Sequence, residues 1–391
     1  MVDSVTERAL IAAGRCVANR GLAATTLDVV AMEAGVSRAT LYRHFPNGRH
    51  QLLDELVAYE VGRFFLDLYG EVEGLTNLDE VLERGLRHAH HAVAGHFLLQ
   101  TVLREDPAVL EPSLSVALAS IESRVAQVFS PFLPAGSLRD ERADLLARLS
   151  LDYISTQGRW DYDDPRQLRQ LVRDELLAWS GARSRRFGPA RVRPMRRVHD
   201  VSVRGQVVAA TLSEIAAGHF STFNVASIVR QSNVSRATIY RTFPGGRDAM
   251  VSAAVSREAA RLFAAVADAM VSEDNLHASV LGGLTTVWSH VASHEAVLGV
   301  YGSEPELIQR QLRFESAART YFAASSFMRP LLGRWLDGEV AGRLAEWICR
   351  IVVSYWLNPA LYLDIAEPAS VAQFYGRHLA AGVDRLAAVS T

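Results

Sequence analysis

The stretch VSRATLYRHFPNGR, beginning at Val36, returns as VSRATIYRTFPGGR beginning at Val234. Laying the chain on itself at a shift of 198 residues gives eleven identities in the fifteen residues Val36–His50 against Val234–Asp248. The register holds beyond the phrase. Leu78 falls on Leu276, His96 on His294 and Asp106-Pro107 on Glu304-Pro305; after a short insertion Asp164-Pro165 falls on Glu367-Pro368. A unit of about 190 residues that occurs twice and fills 391 residues is a duplicated domain, because solenoids repeat at 20–50 residues and need three or more copies. Each half is long enough to bury a core of its own.

Periodicity makes almost every segment helical. Val5–Arg20, Leu52–Tyr69, Asp79–Gly95 and Glu141–Arg159 carry apolar residues at three- and four-residue spacing. Alternating strand patterns bounded by hairpin turns are missing, so the expected fold class is all-α. From Ser180 to Asp200 the chain reads SGARSRRFGPARVRPMRRVHD, with seven Arg, two Pro and two Gly and little that packs. The expected domains are a first reading head at 1–50, a first helical body at 51–181, an Arg-rich linker at 182–198, a second head at 199–248 and a second body at 249–391. Extended at roughly 3.3 Å per residue, that linker reaches about 60 Å, so the units need not meet at their ends.

The phrase itself reads as helix, tight turn, helix. Thr25 or Thr26 can cap the first helix, Ala34-Gly35 makes the turn, and Ser37 caps the second helix. At 100° per residue, Leu41 and Phe45 fall inward while Ala39 and Arg43 point outward, flanked by Thr40 and Tyr42. His44 and Arg49 extend the polar rim. The second copy repeats each step, with Asn224 and Ser235 as caps, Asn233 in the turn, and Ile239 and Phe243 inward. Its outward set is Arg236, Ala237, Thr238, Tyr240 and Arg241, with Arg247 at the start of the next helix. Small residues admit close approach to a major groove, Arg can bind guanine bidentately, and Thr or Tyr can hold phosphates. An Arg-rich helix face is more commonly only solvated. Against that, the residues kept between the two copies include the outward ones as well as the core, which a purely structural repeat would not require.

AGVSRATLYRHF and SNVSRATIYRTF resemble the tetracycline-repressor (TetR) family of bacterial transcription regulators, over roughly 50 residues in each unit. The resemblance implies a three-helix DNA-binding domain followed by a helical ligand and dimerisation domain, and double-stranded operator DNA as partner. It makes Arg38, Thr40, Tyr42, Arg43, His44, Arg236, Thr238, Tyr240, Arg241 and Thr242 DNA contacts, and Arg49 and Arg247 phosphate contacts. With the caps Thr26, Ser37, Asn224 and Ser235 these form the candidate DNA-side set. Repression released by a small-molecule effector is implied in the same way. The tandem arrangement departs from the family, whose members are ordinarily single units that dimerise. Here Glu141–Arg159 with Gln167–Ser180, and Gly338–Trp356 with Ser370–Ala387, are expected to pair as an intrachain four-helix bundle. The result would be a monomeric pseudo-dimer or a further homodimer, with near-equal heads on a quasi-palindromic site and most asymmetry in the central helices.

Composition narrows the alternatives. A net charge of −2 makes any DNA surface a local patch, and all 41 basic side chains are Arg, with Ala richness a compositional sign of a GC-rich bacterial genome. Cys16 and Cys349 make no disulfide framework, and there is neither a basic n-region before an apolar run nor an uninterrupted apolar run of about 18 residues. A soluble cytoplasmic protein with no membrane partner is expected. The His88, His90, His91 and His96 cluster invites a second reading, a metal-dependent enzyme with DNA-binding domains attached. It lacks Cys or carboxylates at zinc spacing, so no catalytic residue, metal or cofactor is assigned. His90, His91, Phe97, Trp288 and Tyr301 are candidate effector-pocket residues. A DNA-bound scaffold without effector is a third class. Arg193, Arg196 and Arg197 precede the second head, where an Arg arm could enter a minor groove; a solvated tether is the plainer reading.

Overall fold

The computed structural model describes residues 5–95, 121–156, 159–178, 184–193, 200–303 and 314–388, apart from the side chains of 301, 314–317 and 319. Among the described residues every regular element is a helix. Contacts divide the chain into two compact units, Met1–Leu176 and Leu177–Thr391.

In the first unit α1 (Val5–Arg20), α2 (Leu27–Ala34) and α3 (Arg38–His44) lead into the long α4 (Arg49–Val72) and α5 (Leu78–Gly95). Helical residues 121–129, a short turn at Ser130–Phe132, α6 (Arg139–Ser155) and α7 (Pro165–Leu171) complete it. In the second, α8 (Val203–Ala216), α9 (Val225–Ser232) and α10 (Arg236–Thr242) lead into α11 (Gly246–Val271) and α12 (Leu276–Ser293). α13 (Glu295–Ser303), α14 (Phe314–Leu332), α15 (Gly338–Leu357), α16 (Pro368–Phe374) and α17 (Ala380–Ala388) follow. The periodic segments are longer than the sequence suggests at α4, which runs from Arg49, and shorter at α6, which stops at Ser155. Thr156 turns extended there, and Arg159 reaches back to the Glu175 carboxylate at 2.6 Å instead of continuing the helix.

Each head has an apolar core under its short helices. Ala13, Val17, Leu27, Val30, Leu41 and Phe45 are buried in the first; Val207, Ile228, Ile239, Phe243 and Met250 in the second. Ala296 of α13 joins the second core, and α13 lies so close that a Cβ on Gly299 would collide with the Ile215 carbonyl at the end of α8. The bodies carry matching devices. Arg148, buried on α6, bonds Asp144 one turn earlier at 2.7 Å; Arg350, buried on α15, bonds Glu346 one turn earlier at 2.7 Å. Asp164 and Glu367 cap helices that have Pro at the first position, and both helices pass into a π turn, Val172–Leu176 and Tyr375–Leu379.

The segment expected as a free linker is partly fixed. Arg185 donates its backbone N–H to Gly376 O at 2.9 Å and pairs with Asp384 at 2.9 Å. Phe187 lies 5.0 Å from the Tyr375 ring and 5.4 Å from the imidazole of His277. One aromatic in an Arg-rich run has a face to bury, and it packs within the unit Leu177–Thr391. Arg196 and Arg197 lie outside the described residues.

Between α11 and α12, Glu258 accepts from His294 at 3.0 Å and from Arg261 at 3.0 Å. Burial opposes ionisation of Glu258, but these hydrogen bonds prevail and hold its pKa at about 2. Burial first, then the nearby His294, pulls His290 from 6.5 to about 4. Between those two values the unfolded chain binds a proton at His290 that the folded chain does not. Stability from this site is therefore full above pH 6.5 and is lost as pH falls toward 4, with a slope approaching about 1.4 kcal/mol per pH unit. Denaturant midpoints should fall across that window, and His290→Asn should flatten the fall; parallel pH curves for the two proteins would contradict this assignment.

Candidate nucleic-acid interface

A helix-turn-helix must first close its turn. Gly35 takes φ 66° and donates to the carbonyls of α2, while Asn233 takes φ 55° at the matching place. Asn tolerates the left-handed region best among residues with a side chain, so the two turns share a backbone conformation, though Val36 N donates to Ala31 O at 3.0 Å and Val234 N to Ser232 Oγ at 3.3 Å. Of the two possible caps, Thr26 accepts from Val29 N at 3.4 Å, and Thr25 turns inward to Gly21 O at 2.9 Å. Asn224 caps more fully, accepting from Ala226 and Ser227 N at 2.9 and 3.2 Å, with Ser227 completing a capping box. Ser37 and Ser235 accept from Thr40 N and Thr238 N at 3.1 and 3.2 Å, and each hydroxyl also meets the threonine hydroxyl, at 2.8 and 2.9 Å.

These caps fix the rotation of α3 and α10. Leu41, Phe45, Ile239 and Phe243 are buried, and Arg38, Ala39, Arg43, Arg236, Ala237 and Arg241 are exposed. Tyr42 and Tyr240 are each 44% exposed. Small residues, phenols and guanidinium groups thus share one open face in each head, the composition that major-groove and phosphate recognition requires. Arg43, Arg236 and Arg241 hold no hydrogen bond or ion pair among the described residues, whereas Arg38 Nε meets Asp28 at 2.6 Å. His44 and Thr242 are half-buried and engaged with the protein: His44 Nδ1 lies 3.2 Å from Thr6 Oγ1, and Thr242 donates to Thr238 O at 2.9 Å. Asp28 and Thr6 escaped the sequence reading, since neither belongs to the repeated phrase.

Of the candidate effector residues, the side chains of His90, His91 and Trp288 are described, each within its own unit. Trp288 is fully buried, donates its Nε1–H to Val352 O at 3.2 Å and meets Tyr355 and Phe374 edge-on, so it is core and not cavity wall. Helical spacing alone does not separate those two roles. His90 stacks on Tyr162 at 4.3 Å, with burial lowering its pKa, and His91 faces Asp163 at 2.8 Å. His88 turns to Phe64, at 5.8 Å between rings. Phe97, His96 and the side chain of Tyr301 lie outside the described residues. Among the described residues no three metal-ligating side chains converge. A shallow groove of about 430 Å³ opens between α8 and α9, lined by Gln206, Ala209, Ala210, Ser213, Gln231 and Ser232, with polar and apolar surface in about equal measure. No helix among the described residues is long and apolar enough to cross a membrane.

Arg49 and Arg247, expected as phosphate contacts, hold backbone carbonyls of their own heads. Arg49 donates to Thr25 O at 2.9 Å and Leu22 O at 2.7 Å, and Arg247 donates to Phe220 O while lying 5.1 and 4.8 Å over Phe220 and Phe223. Each closes the turn before the second helix onto the start of the long helix behind it, because carbonyls at that turn have no helical partner. The neighbouring Asn47 N–H is likewise taken, by Gln51 Oε1 at 3.0 Å. Hydrogen bonds from a charged donor are worth about 1.5–3 kcal/mol each. Arg49→Ala is thus expected to lower the thermal midpoint clearly while leaving the salt slope of DNA binding in place. A slope reduced by about one unit with an unchanged midpoint would return Arg49 to the phosphates.

Comparison with known proteins bears on the same segment. Residues 9–56 match the family "Bacterial regulatory proteins, tetR family". An uncharacterized HTH-type transcriptional regulator of Mycobacterium tuberculosis, known from two strains, is 35% identical over 79 residues, which is 20% of this chain and 40% of that protein. The chain thus matches less than half the length of these curated relatives. The crystal structure of the TetR family repressor AlkX from a Dietzia species, implicated in biodegradation of n-alkanes, aligns over 45% of this chain and 92% of its own, at 18% identity and a TM-score of 0.36. The family match thus covers α1 from Ala9, α2, α3 and the beginning of α4.

Proposed function

We propose that the chain is a transcriptional regulator that grips a quasi-palindromic operator with both heads of one polypeptide. The observation that carries this reading is the shared exposure pattern of α3 and α10. Arg, Ala, Tyr and Arg stand open at matching places while Leu or Ile and Phe are buried beneath them. The recurrence in the bodies of a buried Arg paired one turn back, and of an acid-capped, Pro-started helix ending in a π turn, supports a tandem origin. In such a molecule the second head binds intramolecularly, so dilution does not separate the heads. Half-sites would lie about 34–36 Å apart, or a multiple of it. The proposal includes a cytoplasmic location and repression relieved by a small-molecule effector, as the resemblance implies.

Binding to duplexes recovered by selection from a random pool, with Arg43→Ala and Arg241→Ala made separately, tests the reading. Each substitution should weaken specific binding roughly tenfold or more, since a good bidentate base contact is worth about 1–3 kcal/mol. Unchanged affinity for either variant would mean that its head does not read DNA.

A further inference from the structure

The two recognition helices present the same outward residues, but the helices that lie beside them differ. At a shift of 198, Asp28 of α2 becomes Ala226 of α9, and Met32 becomes Arg230. Positions 28 and 32 are one helical turn apart and share a face, as do 226 and 230; all four are exposed. In the first head Asp28 Oδ1 holds Arg38 Nε at 2.6 Å, and the Arg38 guanidinium lies 5.7 Å from the Tyr42 ring centre. The ion pair lies on an exposed face, so it biases the orientation of the Arg38 guanidinium modestly while leaving it open to an outside acceptor. In the second head Ala226 offers no acceptor, and Arg236 has no ion pair, hydrogen bond or ring contact among the described residues.

We propose that the heads divide the work: Asp28 positions Arg38 to read a guanine edge, whereas the unbraced Arg236, with Arg230, holds the DNA backbone. This rests on the operator-binding reading above and sharpens it. Pre-organisation raises affinity for the correct base by lowering the ordering cost of contact. A carboxylate beside the phosphate path lowers binding to every sequence alike, so the gain in discrimination comes from the orientation of Arg38. Arg230 and Arg236, by contrast, add two charges whose attraction to phosphates is indifferent to sequence. Asp248, 3.6 Å from Arg247, returns one negative charge to the second head. The contrast therefore lies in how Arg38 and Arg236 are held more than in total charge.

The test uses the full chain. Duplexes are selected from a random pool by wild type, Asp28→Ala, Asp28→Asn and Ala226→Asp, and the salt dependence of binding is measured on a random-sequence duplex. Asp28→Ala should flatten one guanine preference in one half-site about two- to fivefold, leave the other half-site alone, and steepen the salt slope by up to about one unit. Asp28→Asn removes the charge that makes the ion pair while keeping the side chain's size, so it should flatten the guanine preference and steepen the slope as Asp28→Ala does. Ala226→Asp should create a matching preference in the second half-site. Thermal midpoints for all variants show that the exposed substitutions leave the heads folded. An unchanged base profile with Asp28→Ala, or equal flattening of both half-sites, overturns the division of work while leaving operator binding intact. Failure of wild type to recover any preferred sequence would instead remove the operator reading itself.

Discussion

Burial of two side chains under a seven-residue helix is the constraint on which the rest depends. A helix as short as α3 does not persist alone in water, where about 12–15 residues are marginal. It exists because Leu41 and Phe45 are removed from solvent, at about 1.5–3 kcal/mol each, and because Ser37 satisfies one of the first free amides, that of Thr40. Ile239, Phe243 and Ser235 do the same for α10. Once those inward positions are fixed, a turn of 100° per residue leaves no choice about where Ala39, Tyr42 and Arg43 stand. The chemistry of the outward face is a consequence of the core beneath it.

Arg49 and Arg247 transmit that placement backward. By holding carbonyls at the turn that precedes the second helix, each ties its head to the first turn of a long helix, α4 or α11, that runs on into the body. In the second unit α13 adds a further tie, with Ala296 in the core of the head and Gly299 against the end of α8. Head and body of that unit are thus joined by packing as well as by chain.

Much of this was legible in the residues. The repeat, the turn positions Gly35 and Asn233, the caps at Ser37 and Ser235, and the inward pairs all follow from periodicity and side-chain chemistry. What periodicity does not carry is the partner of a long polar side chain. Arg49 looks equally suited to a phosphate or to a carbonyl until the turn at Leu22–Thr25 is placed beside it. Trp288 looks like pocket or core until Val352 and Phe374 are seen against it. Phe187 hides in an Arg-rich run that composition marks as tether. The heads, read as near-equal from the phrase alone, differ at Asp28 and Ala226, outside the phrase and across a helix–helix contact that no short motif records.

Both heads on one polypeptide is the central claim, and the mass of the protein–DNA complex addresses it most directly. Sedimentation or native mass measurement of the chain on a selected duplex carrying two half-sites should give one chain per duplex, at all concentrations at which complex forms. Two chains on such a duplex, each leaving one head unprotected in footprinting, would contradict it.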